Sequence, residues 1–397
     1  MKQSLATLTS KIGSGATPRG GASVYQNDGI ALIRSQNVHD WTMKRDGLAH
    51  ITDSAANLLA GVTVHKGDVL INITGDSIAR CCVVDPCFLP ARVNQHVAII
   101  RPSPGLVPGF LAAVLINPEM KSRLLSDSAG GTRNALTKKY LEHLQIDIPS
   151  VSTQRAIAEV LGALDDKIAA NTALAHTADE LAHTIFQSLP KRTDIDSVTY
   201  GDVATVNGGG TPSTKTPEYW GGDIPWATPT DITALPGPYI DRTSREITRE
   251  GLDACASGLY PEGSILMTSR ATIGAFAIAS RAMAVNQGFI VVRPINPNDK
   301  WWLFHEMRSR VAEYLNMANG ATFLELSRGK FKALTVSMND QVTIEHFADR
   351  VAPLHSVARG AFDENRTLAE LRDTLLPELM SGKLRVKDAE RQVEAVV

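Results

Sequence analysis

Two hydrophobic patterns alternate along the chain. In residues 1–150 short apolar, β-branched runs bounded by Gly and Pro predict buried strands, at Val69-Leu70-Ile71-Asn72-Ile73 and Val97-Ala98-Ile99-Ile100. Residues 109–126 predict a helix carrying Phe110, Val114, Leu124 and Leu125 on one side. The same order returns in residues 191–340, with strands at Ser264-Ile265-Leu266-Met267 and Phe289-Ile290-Val291-Val292 and a helix over 299–318.

The segments between and after these modules have a different texture. Ile157, Leu161, Leu164, Ile168 and Asn171 step by four and three, the seam spacing of a coiled coil. Ile344, Phe347, Val351, Leu354, Ala358, Ala361, Asn365, Leu368 and then Leu375 continue that spacing near the end. Pro353 and Gly360 predict a kink or break there. A helix apolar along a single stripe cannot bury itself. Two of them separated by a globular module therefore predict an antiparallel pair, each about 55 Å long. The expected organisation is a module over 1–150, a helical spacer over 151–190, a second module over 191–340, a second spacer over 341–388 and a tail over 389–397. The fold class is α+β: two similar mixed α/β modules separated by long helices that pack as an antiparallel coiled coil, with pseudo-twofold symmetry.

The modules are copies of one another. Gly15, Thr17, Pro18 and Ile30 recur as Gly209, Thr211, Pro212 and Ile224, and Asn37-Val38 as Asp231-Ile232, all offset by 194. Val93-Asn94-Gln95 recurs as Val285-Asn286-Gln287, offset by 192. Gly131, Thr132 and Leu136 answer to Ala321, Thr322 and Leu326, offset by 190. A slow drift in one direction is what two copies of a whole domain give after small loop deletions. Residues 174–184 also echo themselves, Leu-Ala-His-Thr recurring after seven residues. Its extra helical length reads as a spacer adjustment.

Charge adds one asymmetry. Residues 1–150 carry 15 Lys+Arg against 11 Asp+Glu, a net of +4, within a chain of net charge −2. A nucleic-acid binder of this balance must gather its cations on one face. The Gly-rich stretches lack the Gly-Lys-Ser/Thr ending of a phosphate loop, and no HExxH or paired metal spacing is present. No stretch has the length of a membrane span, and the start lacks a secretory apolar run. Cys81, Cys82, Cys87 and Cys255 form no disulfide framework, so a reducing cytoplasm is expected.

Taken in order, the motifs resemble one family. Gly209-Gly210-Thr211-Pro212-Ser213-Thr214 is followed by Glu218-Tyr219-Trp220-Gly221-Gly222-Asp223-Ile224-Pro225-Trp226, then Thr268-Ser269-Arg270-Ala271-Thr272-Ile273-Gly274 and Asn286-Gln287-Gly288. With Gln154-Arg155-Ala156-Ile157-Ala158 and the closing Leu375-Leu376-Pro377-Glu378-Leu379, the chain resembles the specificity subunit of type I restriction–modification systems. The first module departs from the pattern: it lacks the Tyr-Trp-Gly-Gly stretch, and Thr74-Gly75-Asp76-Ser77-Ile78 replaces Ser-Arg-Ala-Thr-Ile-Gly. The resemblance implies a noncatalytic reader of double-stranded DNA whose two recognition domains each take one half of a split target. Its helices would set the spacing and dock two methyltransferase subunits. S-adenosylmethionine, ATP and Mg would reside on the methyltransferase and restriction subunits, with no cofactor or metal on this chain. A self-contained restriction or modification enzyme and an interaction scaffold without DNA reading stay open as alternatives.

Base edges are read by two-pronged donors and acceptors. The first module offers Arg19, Arg34, Ser35, Gln36, Asn37, Arg80 and Arg133, with Lys138 and Lys139 suited to phosphate. The second offers Lys215, Thr228, Thr230, Arg270, Thr272, Arg328 and Lys330. Asn94-Gln95 and Asn286-Gln287 are common to both modules and are expected to be structural. Ile157, Leu161, Leu164, Ile168, Val351, Leu354, Leu368 and Leu375 are the expected helix-seam and partner-docking residues.

Overall fold

The computed structural model describes residues 2–128, 135–190, 198–318 and 324–396. These form two compact units: residues up to Ala169 together with those from Arg366 on, and Ala170–Asn365. Each unit holds one copy of the repeated module.

In the first unit an antiparallel sheet has the order Thr9–Ser14, Val97–Pro102, Val69–Asn72, Cys81–Val83. Successive side chains of its central strands serve two cores. Val69, Ile71 and Ile100 meet Phe110, Leu111 and Leu115 of the helix Pro108–Ile116. Leu70, Val97 and Ile99 face Ala31, Ile33 and Val93 of a second sheet. Burial on both faces explains why these strands read as continuous apolar runs. Within the second sheet Ile30–Ile33 runs parallel to Ala91–Val93.

The second unit repeats this plan. Its larger sheet has the order Ala204–Asn207, Phe289–Pro294, Ile265–Thr268, Phe276–Ala279, Tyr239–Ile240. The copies agree in register: Ile12 pairs with Ile100 as Val206 pairs with Val292, and Ile33 with Val93 as Ala227 with Val285. The offsets of 194 and 192 are therefore the same sheet built twice.

The helix expected over 109–126 is two, Pro108–Ile116 and Pro118–Ser128. Asn117 precedes a proline, which disfavours the helical region, and its backbone lies at φ −47, ψ 129. The helix expected over 299–318 is likewise Lys300–Ser309 and Val311–Met317.

The long helices are Val151–Ser188 and Gln341–Ser381. In the first unit their halves run antiparallel, with Asp165 bonded to Arg372 at 2.6 Å and Thr153 and Ile157 across a shared cavity from Leu379 to Gly382. Ile157, Leu161 and Leu164 are buried with Leu368 and Leu375, and Ile168 packs against them half-buried. In the second unit Ala175 and Ala178 pack on Ala358 and Ala361. Ala182 and Phe186 pack on Phe347 and Val351, with Leu354 alongside. Asn171 is buried and donates to Glu364 at 2.8 Å, while Asn365 donates to Thr172 at 2.9 Å.

Two expectations change and two gain detail. The second long helix runs unbroken through Pro353 and Gly360. Both are exposed, so the backbone groups that Pro353 frees meet water while Val351 and His355 stay buried. Beyond packing on each other, the helices share a core with the modules: Leu161, Leu164 and Leu375 with Phe110 in one unit, Phe186 and Phe347 with Trp302 in the other. The echo at 174–184 belongs to that packing. Asp179 holds Arg308 through two bonds of 2.8 and 2.9 Å, so deleting Thr177–Glu180 removes a largely buried ion pair as well as helix length. Finally, the helix Val386–Glu394 runs across the expected spacer–tail boundary at 388 and buries Ala389 and Val393 in the first unit's core.

Candidate nucleic-acid interface

At the same end of each module four loops meet. Gly15 and Gly209 start this arrangement. Each strand end approaches a facing backbone so closely that a Cβ would lie 2.0 Å from the carbonyl oxygen of Val93 or of Val285. Only glycine permits that approach. Just beyond it Thr17 donates to Gln95, and Thr211 donates to Gln287 at 2.5 Å. Asn94 and Asn286 each accept from the backbone two residues on, His96 N at 3.1 Å and Gly288 N at 2.8 Å. The shared Asn-Gln pairs are thus turn structure, as their recurrence in both modules implies.

The other loops join this turn. Ile73 N donates to His96 O and Ser269 N to Gly288 O. Thr74 bridges to Ala135 as Arg270 bridges to Glu325. Ala79 and Ala271 in these loops hold left-handed backbone, φ 66 and φ 58, a conformation a non-glycine residue keeps only where its surroundings enforce it. Thr137 and Ser327 then cap the short helices Lys138–His143 and Arg328–Lys332. The first helical residues, Lys138, Lys139, Arg328 and Lys330, are exposed.

The structure therefore gathers part of the expected set. Arg270, Thr272, Arg328 and Lys330 are exposed on adjoining loops of the second module. Lys215 is exposed beside Ser213, whose carbonyl accepts from Trp220 Nε1 at 3.1 Å, and Thr230 is exposed on the turn whose Pro229 abuts Gly288. In the first module Lys138, Lys139 and Arg19 are exposed, while Arg80 and Ser35 are half-buried around Asn72, which donates to Ser35 O at 2.9 Å. Arg133 lies outside the described residues.

Other candidates are committed elsewhere. Asn37 is fully buried: its Oδ1 accepts from Arg34 N at 3.0 Å and its Nδ2 donates to Lys44 O and Asp46 O, which leaves no edge for a base. Thr228 spends its hydroxyl on Asp231 at 2.6 Å in a capping box. Burial works against ionisation of Asp231, yet hydrogen bonds from Thr228 and Ser244 hold its carboxyl below the usual range. Asn37 and Asp231 occupy equivalent positions, so the matching offset marked a shared cap and not a shared reader. Arg34 donates to Gly47 O, and Gln36 reaches the same carbonyl at 3.2 Å, so both brace the 44–47 loop.

Sequence reasoning missed three features here. His96 is bonded to Thr74 at 2.6 Å and to Gln95 at 2.9 Å. Glu325 holds Arg270 at 2.8 Å. Arg245 lies 3.4 Å over the Trp220 ring, which is itself edge-on to Trp226. Extending the offset from the Asn-Gln pair would have placed His96 opposite Gly288. Among the described residues no helix is long and apolar enough to cross a membrane, and no group of three or more His, Cys, Asp or Glu is placed to hold a metal.

Comparison with known proteins agrees with this plan. Residues 10–177 and 193–347 each match the type I restriction modification DNA specificity domain. The chain is 38% identical over 159 residues to the type I restriction enzyme MjaIX specificity subunit of Methanocaldococcus jannaschii, covering 40% of this chain and 36% of that protein. Alignment over 402 positions with the HindI specificity subunit of Haemophilus influenzae gives 22% identity and covers 81% of this chain and 87% of that protein. The S subunit of the type I system from M. genitalium shares the fold, with a TM-score of 0.57 at 14% identity over 96% of this chain and 95% of that one. With two domain matches spanning most of its length and falling on the two halves of an internal repeat, the chain belongs to the type I restriction modification DNA specificity family.

Proposed function

We propose that this chain is the DNA-recognition subunit of a type I restriction–modification complex and that each module reads one half of a split duplex target. The observation that carries this reading is the pairing of an identical scaffold with unequal side chains. Gly15 and Gly209, Asn94 and Asn286, and Thr17–Gln95 and Thr211–Gln287 build the same loop cluster twice, while the exposed polar groups on it differ. Two such surfaces suit two different half-sites. Exposed cations on the cluster supply phosphate contacts that position the duplex without reading it.

The long helices, roughly 57 and 62 Å at 1.5 Å per residue, exceed one DNA turn of roughly 34 Å and set the spacing between half-sites. They also dock methyltransferase subunits, two of them because the repeated halves offer two similar surfaces, and restriction subunits complete the assembly. The chain itself is noncatalytic and acts in the cytoplasm, where the DNA is. S-adenosylmethionine, ATP and Mg belong to the partner subunits.

Exchanging residues 1–150 for the first module of another family member tests this division of labour. The target methylated by the assembled complex should change in one half and keep the other half. A change in both halves, or in neither while methylation persists, would refute independent reading by the modules.

A further inference from the structure

We propose that Arg270, oriented by Glu325, reads a guanine in the second half-site, and that the positions occupied by Arg270 and Glu325 in one module and by Thr74 and Ala135 in the other are where the two specificities diverge. This rests on the DNA-recognition reading above.

The two positions are equivalent by backbone geometry. Arg270 bridges to Glu325 immediately before Leu326 N donates to Ser269 O at 3.0 Å. Thr74 bridges to Ala135 immediately before Leu136 N donates to Ile73 O at 2.9 Å. Below this level the modules are alike in the close glycine, the Asn turn, the Thr–Gln bond and the helix cap. At this level they are not. The first module places a hydroxyl and an imidazole there, Thr74 and His96, bonded at 2.6 Å. The second has Gly288 in the place of His96, and an arginine held by a carboxylate at 2.8 Å.

That pair suits a base edge better than a phosphate. Arg270 and Glu325 remain 44% and 42% exposed, so the guanidinium is accessible. Glu325 engages one terminal amino group of the guanidinium, which tethers it beside the loop. The rest of the fork is free to meet the O6 and N7 acceptors of guanine in the major groove. The adjacent carboxylate repels a phosphate but tolerates a neutral base edge. Arg328 and Lys330, exposed close by and without an ion pair among the described residues, are the phosphate contacts. Arg270 is therefore the direct reader and Glu325 the positioning residue.

The test uses the chain assembled with its methyltransferase subunit, binding and methylating a randomised duplex library. The wild-type complex should select a split motif with guanine at one position of the half-site assigned to residues 191–340. Arg270→Lys keeps the charge but loses the fork. It should lower discrimination for that guanine by about 5- to 150-fold and leave the other half-site unchanged. Glu325→Gln should lower discrimination at the same position with a smaller loss of total binding. A uniform loss of affinity across all sequences would make Arg270 a phosphate contact and overturn the assignment, as would a motif unchanged in both variants. Absence of any motif from the wild-type complex would instead remove the DNA-recognition reading, and the assignment with it.

Discussion

At pH 5 the second unit should be about 4 kcal/mol less stable than at pH 7.5, because its fold keeps His305 and His355 neutral. Five side chains form one hydrogen-bonded row. Gln187 lies 3.0 Å from His183, His183 3.1 Å from His305, His305 2.9 Å from His355, and His355 2.6 Å from the Tyr239 hydroxyl. If Gln187 donates, each neutral ring accepts on one nitrogen and donates from the other, and every link carries one proton. A second proton on any ring would set two N–H groups against each other. Burial is the main cause that pushes both pKa values down. For His305 the neighbouring His355, then Arg308 and His183, add to it. For His355, Asp179 opposes the shift while Arg308 and Lys300 add to it, leaving the ring at about 3.

The sign follows from the unfolded chain, whose imidazoles protonate near 6.5. Below that pH the unfolded state takes up protons that the fold refuses. Stability is fully present above pH 6.5 and falls by about 1.4 kcal/mol per unit for each ring, down to about pH 3 for His355. Hydrogen exchange of the Lys300–Ser309 helix and of residues 351–361, corrected for intrinsic rates, measures this slope. His305→Gln combined with His355→Gln should flatten it. Parallel pH curves for the wild type and the double variant would show that these rings are not its source.

Gly209→Ala should cost roughly 4 kcal/mol or more and unfold the second module under mild denaturant. The new Cβ would sit 2.0 Å from Val285 O and 2.3 Å from Asn286 O. Val285 O cannot withdraw cheaply, because it accepts from Gly210 N at 3.0 Å and Asn286 N of the same peptide group donates to Ala227 O at 2.9 Å. The strand end would have to leave the turn, and with it the Thr211–Gln287 contact that closes the loop cluster. Gly15→Ala should act the same way on the first module, with its Cβ 2.0 Å from Val93 O. Gly360→Ala is the control. It lies exposed in the second long helix with nothing within 4 Å of its Cβ, and should stabilise the chain by about 0.5–1 kcal/mol. Denaturant unfolding with DNA binding measured on the same samples separates the cases. Equal behaviour of Gly209→Ala and Gly360→Ala would contradict the close approach.

The scaffold was legible in the sequence wherever one residue decides the backbone. Gly15 and Gly209, and the Asn-Gln turns, recur because each copy needs the same close approach and the same bond. The strand Val69–Asn72, by contrast, recurs as Ile265–Thr268 at an offset of 196, outside the one-directional drift of the motifs. The readers were less legible. Asn37 is a reader by residue type alone, whereas its match to Asp231 at the expected offset reflects a cap in both copies. Arg270 was found by its residue type, but its partner Glu325 lies 55 positions away and meets it only through a loop contact that no local pattern encodes. The imidazole row joins side chains from both long helices and from the helix Lys300–Ser309, each of which looks incidental on its own stretch. Pro353 misled because helix breaking is a local rule, and burial of Val351 and His355 on either side overrides it.

The most direct test of the central claim is modification-sensitive sequencing of DNA from cells that express the cognate methyltransferase subunit with and without this chain. The account predicts methylated bases at a single split motif that appears only when the chain is present. Methylation at the same motif without the chain, or an assembled complex that methylates no defined sequence, would contradict it.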